Sequence, residues 1–256
     1  MNVEKSNPTI EQLYEDYQRK GLSVNDLHYL RVITNDEPSV FRRLAQRRLF
    51  GEPFAYLTGK VKFFDRKFKI DRRVYVPNRE TESLVKAVLE DVQFNSSVLD
   101  VGTGSGVIAI TIAKEKSGIN VIGSDICPSA LEVAIENARF HKIDIPFFES
   151  FYVNDLKIEE PSHIVADMPY GDERFTLPSI DVREFKHMPP HACFHPRGIL
   201  KAYVELIDSI QRKGWKTKLF FETGRVGKEE VKEIIPEGLE WNYNQTENYS
   251  FTVVEF

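Results

Sequence analysis

The spacing of apolar side chains divides the chain into a helical beginning and a longer, alternating remainder. Ile10, Leu13, Tyr14 and Tyr17 recur at helical intervals within residues 9–20, and Gly21 stops the run. Ser23 is placed to cap a second helix through Val32, and Ser39 a third through Phe50, ended by Gly51. Together they predict a small bundle. Gly51-Glu52-Pro53 breaks that pattern, and alternation at 61–64, 68–70 and 74–76 predicts strands forming a hairpin that leads onward. A helix is expected from Pro77-Asn78-Arg79-Glu80-Thr81-Glu82 to about Val92, with acidic residues in its electropositive first turn. Strands then follow at 98–101, 119–124, 146–150, 162–167 and 217–222, with helices at 105–116, 128–141, 199–213 and 226–235. A stretch holding Pro178, Pro189, Pro190 and Pro196 is irregular, and 239–245 with 249–256 closes the chain as a hairpin around Thr246-Glu247-Asn248. Such alternation builds an α/β domain, its mostly parallel sheet covered on both faces. The expected divisions are a helical domain at 1–59, a β-hairpin linker at 60–77 and the main domain at 78–256.

At 256 residues the chain has room for one large α/β domain and a smaller appendage. Its 41% hydrophobic and 29% charged residues describe an ordinary soluble globule. No run approaches the ~18 apolar residues of a membrane span, and the first residues lack the apolar core of a signal peptide. A cytoplasmic location is therefore expected, and Cys127 and Cys193, too few for a disulfide framework, fit a reducing compartment. A net charge of −5 and a pI near 5.8 weigh against a general nucleic-acid binder. The charge is uneven, however. Residues 60–73 carry seven Lys or Arg against two Asp, just after Arg42, Arg43, Arg47 and Arg48. These form either solvated faces or a rim that steers an acidic partner.

The chemistry gathers at two strand ends. Val98-Leu99-Asp100-Val101-Gly102-Thr103-Gly104-Ser105-Gly106 runs from an apolar strand into glycines that bare the backbone before a helix, the arrangement of a nucleotide-like site. A dinucleotide fingerprint would need glycine where Val107 stands, and no Gly-Lys-Ser/Thr follows for a triphosphate. Asp125, closing the next strand, is where a carboxylate can accept hydrogen bonds from both ribose hydroxyls of a nucleoside. Ile164-Val165-Ala166-Asp167-Met168-Pro169-Tyr170 is the second stretch, and strand order directs Asp167 and Tyr170 into the same crevice. His187, His191, Cys193 and His195 have metal-ligand chemistry, but a single proline-paired loop seldom wraps one ion, so no metal is expected. Pocket lining or loop filling remain open for them, as do an aromatic wall or core packing for Phe175, Phe185 and Phe194.

In combination, Gly51-Glu52-Pro53-Phe54-Ala55-Tyr56-Leu57-Thr58-Gly59, Glu80-Thr81-Glu82, the loop at 98–106, Asp125 with residues 128–138, and Asp167-Met168-Pro169-Tyr170 resemble a known family. It is the family of protein glutamine N5-methyltransferases that modify peptide-chain release factors, and the likeness covers nearly the whole chain. The resemblance implies a class I, Rossmann-like methyltransferase with seven strands, the last antiparallel, and S-adenosyl-L-methionine as donor. It implies Asp100, Gly102, Thr103, Gly104, Gly106, Asp125, Ile126, Phe151 and Asp167 on the donor side, with Phe221-Glu222-Thr223-Gly224 as the family's fifth strand. On the acceptor side it implies Asp167 and the Met168 carbonyl orienting the nitrogen beside Pro169, and Tyr170 walling the transfer site. Arg79, Glu80, Thr81, His191 and Phe194 would lie around the substrate.

Two departures stand out, one on the acceptor side and one on the donor side. Where the family has Asn-Pro-Pro-Tyr this chain has Asp167-Met168-Pro169-Tyr170, and an ionised aspartate accepts hydrogen bonds but cannot donate one. Phe151 stands where an acid commonly meets the adenine amine. The expected activity is N-methylation of a polypeptide nitrogen, by default the release-factor glutamine amide. The alternatives are an amine on a peptide natural product or small molecule, which a carboxylate suits, a nucleobase amine, or a non-catalytic binding protein.

Overall fold

Thr9 opens the first helix, α1 (Ile10–Arg19), through a reciprocal cap with Gln12: its hydroxyl accepts the Gln12 N–H at 3.3 Å and its own N–H donates to the Gln12 side chain at 2.9 Å. Ser23 caps α2 (Val24–Thr34). The third helix, α3 (Pro38–Leu49), is capped by Glu37 rather than Ser39, because Pro38 fits the first helical turn and the Glu37 carboxylate accepts the Ser39 N–H at 3.2 Å. Gly51-Glu52-Pro53 leads into a short helix, α4 (Phe54–Thr58), that apolar spacing did not reveal. This computed structural model describes residues 7–169, 182–246 and 249–256, and it divides into two compact units, Met1–Gly59 and Lys60–Phe256. The first unit buries Leu13, Leu27, Leu30, Phe41 and Leu44 as its core. Two of its arginines are tied down rather than left to solvent: Arg47 pairs with the buried Glu52 at 2.7 Å, and Arg48, 7% exposed, meets Asp26 at 3.4 Å.

The second unit begins with an antiparallel hairpin, β1 (Lys60–Phe63) and β2 (Arg66–Lys69). Residues 74–76 form no third strand, since the chain turns at Asp71, whose carbonyl accepts the Val74 N–H at 3.2 Å. Much of the basic run is neutralised by Arg66–Glu115, Lys62–Asp65 and the contacts of Arg73 with Asp71, Glu132 and Glu136. The hairpin is fastened by the buried Asn137, whose amide exchanges hydrogen bonds with the Lys69 backbone at 2.7 and 3.0 Å and donates to Ser105 O at 2.9 Å.

After α5 (Glu82–Asp91) come β3 (Ser97–Val101), α6 (Val107–Glu115), β4 (Asn120–Asp125), α7 (Pro128–Phe140), β5 (Phe147–Glu149) and β6 (His163–Ala166). A 3-10 turn (Val182–His187), α8 (Pro190–Cys193), α9 (Ile199–Lys213), β7 (Lys218–Gly224), α10 (Lys228–Lys232), β8 (Glu240–Gln245) and β9 (Ser250–Glu255) complete it. Glu247 and Asn248 of the expected closing turn lie outside the described residues. The seven strands are ordered β5-β4-β3-β6-β7-β9-β8, and only β9 runs against the rest. Alternation along the central strands sorts the core. Val98, Val165 and Phe220 face α5 and α6, while Leu99, Ile164 and Phe221 face the apolar stripe of α9. From β3 the chain winds one way to β4 and β5 and then crosses to β6 on the other side, so the strand order switches between β3 and β6. In open α/β sheets the ligand crevice lies at the carboxyl end of such a switch. No helix among the described residues is long and apolar enough to cross a membrane.

Candidate active site

Beyond β3 the chain turns on Gly102, Gly104 and Gly106, all at positive φ (+74°, +53° and +80°), a region that costs any residue with a Cβ. Main-chain groups pin the turn, for the Gly102 and Thr103 N–H groups both donate to Ser124 O at 2.8 Å. From inside, the fully buried Asp100 accepts the Thr103 hydroxyl at 2.6 Å and the Ala109 N–H at 3.1 Å. Its other oxygen meets no partner, and burial pushes this carboxyl up to about 7. Gly106 makes room for α7: a Cβ there would stand 3.0 Å from Ile110 Cδ1 and 3.1 Å from Ala134 Cβ. Asp100, Thr103 and Gly106, expected against a ligand, thus shape the turn from behind, whereas Gly102 and Gly104 line the cavity in front of it. Asp125 accepts the Gly104 N–H on one oxygen and the Cys127 N–H on the other, each at 2.9 Å. Burial raises its pKa, and these bonds together with nearby His191 draw it back.

The cavity holds about 710 Å³, within the usual range for a small-molecule site. Of the residues expected at the site, Gly102, Gly104, Asp125, Ile126, Phe151, Asp167, Met168, Pro169, His191 and Phe194 line it. Ile126 and Phe151 present large apolar surfaces, 54% and 48% exposed. Tyr75, Arg73, Tyr152, Arg197 and Glu205 line it too, unforeseen from the sequence. The Tyr152 hydroxyl donates to Glu205 at 3.1 Å, and Glu205 also pairs with Arg197. Tyr75 stacks on Phe185 with ring centroids 6.5 Å apart, and Phe185 meets Phe194 edge-on at 4.9 Å. This is an aromatic wall on one side.

At the end of β6, Met168 N–H donates to the hydroxyl of the fully buried Tyr203 at 3.2 Å, which fixes the turn carrying Asp167 and Pro169. Thr81, at the head of α5, joins Asp167 to Glu222 of β7: its hydroxyl stands 3.0 Å from a carboxylate oxygen of each. Burial raises the pKa of Asp167, and the bonds from Glu222 and Thr81 offset part of that rise. Thr81 therefore acts from behind Asp167 rather than on the cavity surface, and Arg79 and Glu80 do not line the cavity, Arg79 being exposed. Tyr170 and Phe175 lie outside the described residues. Cys193 is fully buried, its thiol pushed up to about 12, and among the described residues no three His, Cys, Asp or Glu side chains group as metal ligands.

A seven-stranded sheet with one reversed strand, a bare glycine turn after β3 and acids at the ends of its two neighbours, β4 and β6, define a class I methyltransferase. Residues 93–169 match the model of a methyltransferase domain. The chain is 32% identical over 194 residues to the release factor glutamine methyltransferase of Staphylococcus aureus, covering 74% of this chain and 69% of that one. It is 30% identical over 213 residues to the enzyme of the same name from Lactococcus lactis, covering 80% and 76%. Among solved structures, a ribosomal protein L11 methylase from Lactobacillus delbrueckii subsp. bulgaricus shares the fold at a TM-score of 0.53 and 18% identity, over 72% of this chain and 82% of that one. The chain belongs to the release factor glutamine methyltransferase family.

The methyl donor of this enzyme is S-adenosylmethionine, and the residues present fit it. The positive-φ Gly102 and Gly104 leave main chain open to close approach, and each Asp125 oxygen keeps a lone pair beyond its backbone bond for a ribose hydroxyl. Ile126 and Phe151 supply apolar faces for a purine.

Proposed function

We propose that the chain methylates the side-chain amide nitrogen of a glutamine in a peptide-chain release factor, the activity that its relatives carry in their names. One observation carries the reading: the Asp167-Met168-Pro169 turn and the Gly102–Gly104 turn open onto a single cavity, so an acceptor held by the first faces a donor held by the second. When bound, S-adenosylmethionine supplies a sulfonium-activated methyl group open to in-line attack. The protein's task is then mostly positioning, because an amide nitrogen is a poor nucleophile whose lone pair must be aimed. In this reading the Met168 carbonyl and Asp167 accept the amide N–H groups; the bond from the Met168 N–H to the Tyr203 hydroxyl, which fixes that turn, supports it. Donor-site residues Gly102, Gly104, Asp125, Ile126 and Phe151, and wall residues His191 and Phe194, take the roles given by the resemblance.

Incubation of the chain and donor with a purified release factor, read by peptide mass spectrometry, tests this. The expected product is one added methyl on a single glutamine. Methylation of a free amine or a nucleobase in place of that glutamine overturns the reading.

A further inference from the structure

A hydroxyl carries one proton, yet Thr81 Oγ1 stands 3.0 Å from both Asp167 Oδ2 and Glu222 Oε2. Were both carboxyls ionised, two negative charges would compete for that proton where Thr81 is 1% and Glu222 0% exposed, which low-dielectric surroundings penalise. A proton on one carboxyl settles the count: Asp167 and Glu222 also hydrogen-bond to each other, so that proton is shared between the two carboxyls while the Thr81 hydroxyl donates to one of them. We propose that Asp167, Thr81 and Glu222 hold one shared proton, and that Thr81 and Glu222 are positioning residues acting through Asp167 on the methyl acceptor. The consequence rests on the amide reading above. A singly charged pair gives Asp167 a neutral state in which, like the asparagine of the resembled motif, it can meet an uncharged amide; a doubly charged pair would draw a cationic amine instead.

The neighbours agree. Asp100 faces the pair from β3 with a carboxyl pushed up to about 7, and Tyr75, Tyr203 and Tyr249 face it from ahead of α5, from α9 and from ahead of β9. Burial pushes all three phenols up, so they stay uncharged at neutral pH, as does the Cys193 thiol behind Tyr75.

Difference infrared spectra of the full chain at neutral pH test the shared proton directly. Either Asp167→Asn or Glu222→Gln places an amide N–H where that proton was, leaving the remaining carboxyl ionised. Each variant should therefore lack one protonated-carboxyl carbonyl band present in the wild type; no lost band in either overturns the proposal, whatever the acceptor. Kinetics on the release factor supply the second arm. Thr81→Val should lower kcat/KM about tenfold, as expected for a lost hydrogen bond to a charged group, and Thr81→Ser should recover most of it. Wild-type activity should decline as pH rises and the shared proton leaves, and Asp167→Asn, scaled to its own plateau, should lack that decline. A serine no better than valine, or a decline that persists in Asp167→Asn, overturns the positioning role. A release factor left unmethylated by wild type defeats the acceptor assignment alone, because the infrared arm still decides the proton.

Discussion

Between Asp100 and Asp125 the glycine-turn half of the cavity is held by groups close in sequence: Ser124 O takes two turn N–H groups, and the Asp125 carboxylate takes those of Gly104 and Cys127. The acceptor half is held by side chains from distant segments, with Thr81 reaching 86 positions to Asp167 and 141 to Glu222. A site held within one short stretch depends on glycine and strand geometry, so it is legible as a motif. A site held by side chains can be retuned by a single substitution.

Five changes probe that contrast, the largest effect first. Asp125→Ala removes hydrogen bonds from a charged acceptor, worth about 1.5–3 kcal/mol, so calorimetry with S-adenosylhomocysteine should show affinity falling on the order of 10–100-fold. Unchanged affinity would remove the donor site from this end of the sheet. Gly106→Ala should cost about 2–3 kcal/mol in urea unfolding, since it combines positive φ with a crowded Cβ. Gly104→Ala, whose Cβ would meet nothing nearer than 3.9 Å, should cost only about 1 kcal/mol and should instead weaken the donor. Equal costs would show that the two glycines share one role.

Asp100→Asn addresses the support behind the turn. Its folded pKa of about 7 lies above the unfolded value of roughly 3.9, so the folded state favours the protonated form. That contribution is complete below about pH 4 and is lost as pH rises through about 7. The wild type should therefore lose stability across this window, and Asp100→Asn should flatten the loss by on the order of 1–3 kcal/mol. A slope identical in both proteins would show that Asp100 is ionised throughout. The smallest effect belongs to Phe151→Ala, which should weaken S-adenosylhomocysteine by several-fold, about 0.5–1.5 kcal/mol for a lost aromatic contact. A gain in affinity would mean that Phe151 obstructs the purine.

Much of the frame was legible because it is local. The bounds of α9 follow from one apolar stripe, Ala202, Leu206 and Ile210 among it, between Gly198 and Gly214. What misled were patterns with two readings. Val74-Tyr75-Val76 alternates like a strand, yet Tyr75 serves as cavity wall beside Phe185. Asp100, Thr103 and Gly106 belong to the right motif, but period and composition do not say which face of a turn meets solvent and which meets the core. The resemblance implies Thr81, within Glu80-Thr81-Glu82, as a substrate contact. Its partners lie too far along the chain for local pattern to name them.

The Thr81 bridge also bears on what it costs to assemble the molecule. Closing β3, the turn and α6 joins residues about ten apart, a small loop-closure cost, whereas the bridge must gather segments from three separate regions of the chain. The glycine turn thus closes at little entropic cost, whereas the Thr81 bridge carries the cost of ordering all three segments.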